Sequence, residues 1–289
     1  MNWAELREEE FADAVKKSGG VCIIPVGCYE MHGQHLPVRT DVYQAEAIAM
    51  EAAKLEPACV FPAFEFGDSN DLVEWKGAIR LDPELMLEML ECYCTEIARH
   101  GFNKIILLNY HGGNAGFLRY FCNMLDYKQR DFTVMYMFPV PLFVDEIWPT
   151  LKEKGYDYYP ELLPEDVEVL RDFVENKRLD GHGGLLETAT MLAIRPDLVR
   201  MDRLGAVDGH FTHKTDRVSA AGLSNPIGLW RMEFPNSYCA DDPHNANERI
   251  GKLCLRLAAE KVANGCRVFK EEYGVFQEKI DMKRPYYHD

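Results

Sequence analysis

Short runs of Val, Ile, Leu and Phe alternate along the chain with longer stretches in which apolar residues recur at helical spacing. That alternation predicts a single α/β domain with a mainly parallel central sheet flanked by helices. Val21–Val26 is the first expected strand, 42–55 a helix and Cys59–Phe66 a strand; Pro83–His100 is a helix with Leu85, Met89, Leu90, Tyr93 and Ile97 on one face, stopping at Gly101. Lys104–Tyr110 is almost continuously apolar, as a central strand covered on both sides must be. A helix over 115–127, a strand over 132–139, a helix over about 185–195 and a last helix over 244–264 complete the outline. Between them lies an irregular insertion at about 143–180, whose Phe143, Trp148, Tyr156, Tyr158 and Tyr159 suit a lid, an oligomer contact, or a surface excursion packed on itself. One domain is expected over residues 1–289.

Composition narrows the partners. With 47% hydrophobic residues the chain can bury a full core, and 32 Lys+Arg against 47 Asp+Glu leave a net charge of −15 with no clustered basic stripe. Neither nucleic acid nor an anionic membrane is an expected partner. The N-terminus, Met1–Glu10, is charged and lacks the layout of a signal peptide, and no apolar run approaches the roughly 18–20 residues that span a bilayer. Nine cysteines, an odd count with no Cys-x-x-Cys pair, predict a reduced cytoplasmic protein whose thiols pack as small hydrophobes.

Candidate chemistry collects in three glycine-flanked segments. Pro25–Asp41 follows the first strand and holds Glu30, His32 and Asp41; a Glu-x-His spacing in extended backbone puts both side chains on one face. Asn109–Asn114 leaves the apolar central strand at its carboxyl end, where open α/β sheets form their ligand crevice, and contributes His111. Asp180–Ala189 is a glycine-rich turn running into a helix, with His182 and Glu187. Each is a weak signal alone. Three segments repeating the same chemistry point to a shared site. Oxygen and imidazole donors suit one or two divalent cations, zinc first, with manganese or iron as alternatives.

These segments resemble the motifs of the creatininase, or creatinine amidohydrolase, family, and the resemblance runs over roughly residues 15–265. The family's first motif, approximately Pro-x-Gly-Ser-x-Glu-x-His-Gly-x-His-Leu-Pro followed by Asp, is met by Pro25–Asp41 with Cys28 in place of Ser. Asn109–Asn114 meets Asn-Gly-His-Gly-Gly-Asn with Tyr110 for Gly, and Gly181–Thr188 meets Gly-His-Ala-Gly-x-x-Glu-Thr. Asp242-Pro243, with Ala246 and Glu248 beyond, looks like the family's C-terminal Asp-Pro segment. The resemblance implies a creatininase-like α/β/α fold, with Glu30, Asp41 and His111 on one cation, His32 and Asp41 on a second, and Asp41 bridging. His182 stands in the position of the catalytic histidine that protonates the departing nitrogen. A glutamate two residues after the second-motif histidine completes the second site in creatininase; here that position is Gly113, and Glu187 is the expected replacement. His35 is expected to orient or pack rather than ligate.

The implied activity is hydrolysis of a non-protein or cyclic amide C–N bond in a small molecule by metal-activated water. The alternative is a catalytically silent metal-binding scaffold subunit of the same fold. Formamide hydrolysis of a pyrimidine intermediate and cleavage of a peptide's C-terminal portion are further activities within the family. The segment Phe66–Ala78 departs from the family pattern at Leu72, Lys76 and Ala78, and Lys177-Arg178-Leu179-Asp180 replaces the tryptophan-bearing stretch before the catalytic histidine. A creatinine pocket is therefore not expected; Arg178, Lys177 or Lys76 would instead meet an anionic group. By the same resemblance the protein is expected to be a homo-oligomer, a hexamer.

Overall fold

Strands β1 (Val21–Val26), β2 (Cys59–Val60), β3 (Lys104–Asn109) and β4 (Thr133–Met137) run parallel in the order β2-β1-β3-β4. The computed structural model describes residues 1–69, 74–127, 130–139 and 144–276. Val21 pairs with Lys104 and Val26 with Asn109, so β1 and β3 end level with each other. The chain leaves β1 toward β2 on one side and returns to β3 on the other. The carboxyl ends of these neighbours therefore flank the switch point at which open α/β sheets bind ligands.

Alternation along β1 explains the layers. Cys22, Ile24 and Val26 face one way, onto α1 (Phe11–Ser18), α3 (Pro83–Arg99) and α4 (Asn114–Leu125). Val21 and Ile23 face the other way, onto α2 (Thr40–Leu55) and α10 (Glu248–Glu271). The expected strand 59–66 forms a continuous ladder only over Cys59–Val60, because Pro62 has no N–H to continue it, and meets the end of β1 again at a single bridge between Phe64 and Val26. Asp82 caps α3 by accepting from Glu84 and Leu85 N–H, with Pro83 in the first turn. The buried face of α3 is Met86, Leu90, Cys94 and Ile97, which turns Leu85 outward.

The insertion is helical rather than irregular. It forms α5 (Val144–Lys154) and α6 (Pro164–Glu175), and Trp148 and Tyr159 are buried against Leu185, Leu186 and Ala189 of α7 (Leu185–Ile194) and Ile250, Leu253 and Cys254 of α10. Tyr156 and Tyr158 remain exposed, and Phe143 lies outside the described residues. Two short helices, α8 (Asp216–Ala220) and α9 (Pro226–Glu233), precede α10. The last helix starts at Glu248, where Asn247 caps it, and continues past 264 because Cys266 and Phe269 extend its buried stripe. It crosses α7 at Gly251, where an added Cβ would lie 1.9 Å from the Ala189 carbonyl oxygen. None of the nine cysteines is in a disulfide, and no described helix is long and apolar enough to cross a membrane.

Candidate metal centre

Five loops and helix starts meet beyond β1 and β3. Glu30 and His32 come from the turn after β1, Asp41 from the first turn of α2, His111 from the turn after β3, His182 from the turn before α7, and Glu187 from the first turn of α7. All but His182 are at most 8% exposed as whole residues. Glu30 and His32 converge as expected, their Oε1 and Nε2 atoms 3.7 Å apart, from an irregular segment beyond the end of β1 that belongs to no strand.

The inward-facing atoms form overlapping groups. His111 Nδ1 lies 3.0 Å from Glu30 Oε1 and 3.2 Å from Asp41 Oδ2. His32 Nε2 lies 2.9 Å from Asp41 Oδ1 and 3.9 Å from Glu187 Oε2, and His182 Nδ1 is 3.5 Å from Glu30 Oε1. Three sets hold their candidate ligand atoms within 4.8 Å of one another: Cys28, Glu30, Asp41 and His111; Glu30, His32 and His182; and His32, Asp41 and Glu187. Asp41 reaches into two of them with different oxygens.

The outer nitrogen of each imidazole decides how the inner one is used. His111 Nε2 is 2.7 Å from the Asp68 carbonyl, His182 Nε2 is 2.7 Å from the Met31 carbonyl, and His32 Nδ1 is 3.3 Å from the Glu30 carbonyl. A carbonyl oxygen can only accept, so each of these nitrogens carries the proton, and in the neutral ring the other nitrogen turns a lone pair toward carboxylates. A lone pair facing a carboxylate is repelled unless a proton or a metal cation lies between them, and when no metal is bound His32 and His111 keep that proton. Metal-bound histidines have this arrangement, the second nitrogen donating to a carbonyl. Glu30 Oε1 is buried, surrounded by three imidazole nitrogens, and has no hydrogen-bond partner. The donor set and this orphaned oxygen fit divalent cations.

Electrostatics follow from the same packing. Burial alone would lower the pKa of His32, but Asp41, Glu187 and Glu30 push it up to about 10. His111 is likewise raised against the effect of burial, by Cys28, Glu30 and Asp41. Asp41 is held well below the usual carboxylate range because His32 and His111 outweigh its burial. Burial lifts Glu187 to about 7, whereas burial and the neighbouring His32 bring His182 down to about 4.

Supporting contacts fix these groups. Asn109 Oδ1 accepts from His111 N–H and Asn114 Nδ2, and Asn114 Oδ1 accepts from Asp68 N–H, which clamps the carbonyl that holds His111. A Cβ at Gly113 would fall 2.4 Å from His111 Nε2 and 2.7 Å from the Asp68 oxygen. That contact leaves no room for a carboxylate at 113, and Glu187 approaches His32 from α7 instead, its Oε2 accepting from Gly183 N–H at 2.7 Å. His35 Nε2 reaches Thr188 Oγ1 at 2.9 Å and the Gly183 carbonyl at 3.1 Å, the orienting position expected of it.

Three neighbours escaped the sequence reading. Cys28 Sγ donates to Asp41 Oδ2 at 3.3 Å. Ser237 Oγ donates to the Met31 carbonyl at 2.5 Å and lies 3.4 Å from His182 Nε2. Trp230 of α9 stands edge-on to His182 with centroids 5.4 Å apart, while His182 stacks on His32 at 4.0 Å. Only Cys28 left a signal, as the departure from Ser in the first motif. Arg178 binds Asp172 and the Asp242 carbonyl and covers the Phe173 ring, and with Lys177 it lines a cavity of about 600 Å³ beside His210 and His213. His210 bridges Asp208 and Asp241 at the surface, and Asp71, Leu72 and His288 lie outside the described residues.

Fold and site together define a class: an α/β/α protein whose strand-end loops gather carboxylates and imidazoles into groups that could hold a cation. A family model described as creatinine amidohydrolase matches residues 4–266, and the chain belongs to that creatininase family, hydrolases of C–N amide bonds. It is 28% identical to a creatinine amidohydrolase of Pseudomonas putida over 208 residues, 69% of this chain and 74% of that protein. A mycofactocin precursor peptide peptidase of Mycolicibacterium smegmatis is 27% identical over 188 residues, 63% of this chain and 61% of its own length. The fold matches a solved manganese creatininase with a TM-score of 0.66 and 25% identity, over 93% of this chain and 98% of that one; a creatininase variant of Zn–Zn type gives 0.65 at 24% over 93% and 97%.

Proposed function

We propose that the protein hydrolyses a C–N bond in a small non-protein or cyclic amide at this centre. In this reading Glu30, Asp41 and His111 would hold one divalent cation, and His32, Asp41 and Glu187 would hold the other. The observation that carries it is the convergence of the inner nitrogens of three imidazoles on buried carboxylates, each ring fixed from behind by a backbone carbonyl. The solved relatives of Mn and Zn–Zn type support zinc or manganese as the cation. Such ions lower the pKa of a water and polarise an amide carbonyl.

The chain's own groups supply the remaining steps. His182 is neutral, with its Nε2 proton held by Met31 and its Nδ1 lone pair toward the centre. It therefore accepts the proton released by the attacking water and passes it to the departing nitrogen, acting first as base and then as acid. Ser237 shares the Met31 carbonyl and fixes the ring's tilt. Trp230 offers an aromatic edge beside His182, a wall suited to a flat, compact amide. The test is turnover on a panel of cyclic amides, formamides and ureides by protein stripped with chelator and reloaded with zinc or manganese. Activity should appear only after reloading, and His182→Ala should lower kcat by about 10²–10⁴-fold. Turnover that survives stripping, or an unchanged kcat in the variant, would overturn the reading.

A further inference from the structure

We propose that Cys28 Sγ is a fourth protein ligand of the cation held by Glu30, Asp41 and His111. That position would then be closed and zinc-selective, and the His32–Asp41–Glu187 position would be the one left open for water and substrate. The inference rests on the metal reading given above and deepens it.

Of the six other buried cysteines, Cys22, Cys59, Cys94, Cys254 and Cys266 pack inside the hydrophobic clusters and Cys239 packs against Gly181. Cys28 does not. It is 0% exposed, yet it faces Asp41 and His111, two residues along the chain from Glu30. A thiol is a weak donor and a poor reason to bury sulfur against a carboxylate. Its place in a ligand shell is geometric. Tetrahedral zinc with bonds of about 2.0–2.3 Å sets neighbouring ligand atoms about 3.3–3.5 Å apart. The pairs Sγ–Asp41 Oδ2, His111 Nδ1–Asp41 Oδ2 and His111 Nδ1–Glu30 Oε1 are 3.3, 3.2 and 3.0 Å apart. The partnerless Glu30 Oε1 is an independent sign that a cation belongs among them. On binding, the S–H bond gives its proton to solvent and the sulfur pair forms the bond to the ion, with no change of oxidation state.

A thiolate changes the chemistry of that position. Sulfur favours zinc over manganese, and four protein ligands make a site that holds its ion without offering an exchangeable place, whereas three leave one open.

The test uses full-length protein stripped of metal and titrated with Co²⁺. Wild type should develop a thiolate-to-cobalt charge-transfer band in the near ultraviolet; Cys28→Ser should still bind cobalt but lack the band, and Cys239→Ser should keep it. The preference for zinc over manganese should fall at least about tenfold in Cys28→Ser, the lower end of what even outer partners of a metal contribute. Zinc absorption spectroscopy of the wild type, which needs no variant, should show one sulfur neighbour at about 2.3 Å. Cobalt bound with no sulfur band, or a band that persists in Cys28→Ser, overturns the role of Cys28 while leaving the metal centre intact. Failure to bind cobalt or zinc at all overturns both.

Discussion

Adding one methyl group to Gly251 should destabilise the protein even though it improves the helix. In an exposed helix interior, Gly→Ala gains about 0.8–1.0 kcal/mol from backbone entropy alone. At Gly251 the new Cβ would lie 1.9 Å from the Ala189 carbonyl oxygen and 2.4 Å from its carbon, where ordinary contact begins at 3.4 Å. Both obstacles are backbone, so no rotamer relieves them, and α7 and α10 must separate by roughly 1.5 Å. Overpacking of this kind costs about 1–3 kcal/mol, and parting the helices also loosens Leu185, Leu186, Ile250 and Leu253. We expect a net loss of about 2 kcal/mol in Gly251→Ala by urea denaturation. Gly116, exposed in α4 with nothing within 4 Å of its would-be Cβ, is the control, and Gly116→Ala should gain a few tenths to about 1 kcal/mol. Because α7 carries Glu187, the Gly251 variant should also take up metal more weakly. A Gly251→Ala protein as stable as wild type would refute the close-approach argument.

Three further outcomes are expected. Asp41→Asn should cut bound metal per chain by more than half in elemental analysis, since Asp41 contributes an oxygen to each of two ligand groups; full metal content would refute the bridging role. Chelation should lower the melting temperature by roughly 8–16 °C, as loss of a ligand held at a thousandfold excess over its Kd removes about 4 kcal/mol; restoring zinc should reverse it. Asp166 is ionised more readily in the fold, where burial opposes its charge but Arg249, the Leu163 N–H and Asn247 outweigh it. Its stabilising contribution is therefore full above the unfolded carboxyl value of about 3.9 and vanishes as pH falls through the lower folded one. The stability difference between wild type and Asp166→Asn, measured against pH, should be flat above that window and shrink below it; a constant difference would contradict the assignment.

The sheet and the site's residue types were written in the sequence because both are local properties. Lys104–Asn109 reads as a covered strand from its own apolar run, and the turns with Glu30, His32 and His111 follow directly from strand ends. The missing carboxylate at Gly113 was legible as a departure from the motif, whereas the lack of space there beside His111 and Asp68 is a three-dimensional fact. The helices α5 and α6 were hidden because their apolar faces match α7 and α10 rather than the sheet, and because α5 carries Pro149 in its interior while Pro164 stands at the start of α6. Trp230 and Ser237 could not be found from spacing: each meets a turn about 50 or about 200 residues away through packing that no local pattern encodes.

The carbonyl that fixes His182 belongs to Met31, between Glu30 and His32, and the one that fixes His111 belongs to Asp68. Each loop thus sets the aim of a ring carried by another, so their lengths cannot drift independently over evolutionary time. Insertions and deletions should accumulate at the α5–α6 connection and at the surface turns near Gly205 and Gly222, whereas losing even one residue between Val26 and Asp41 would misdirect chemistry supplied from the far end of the chain.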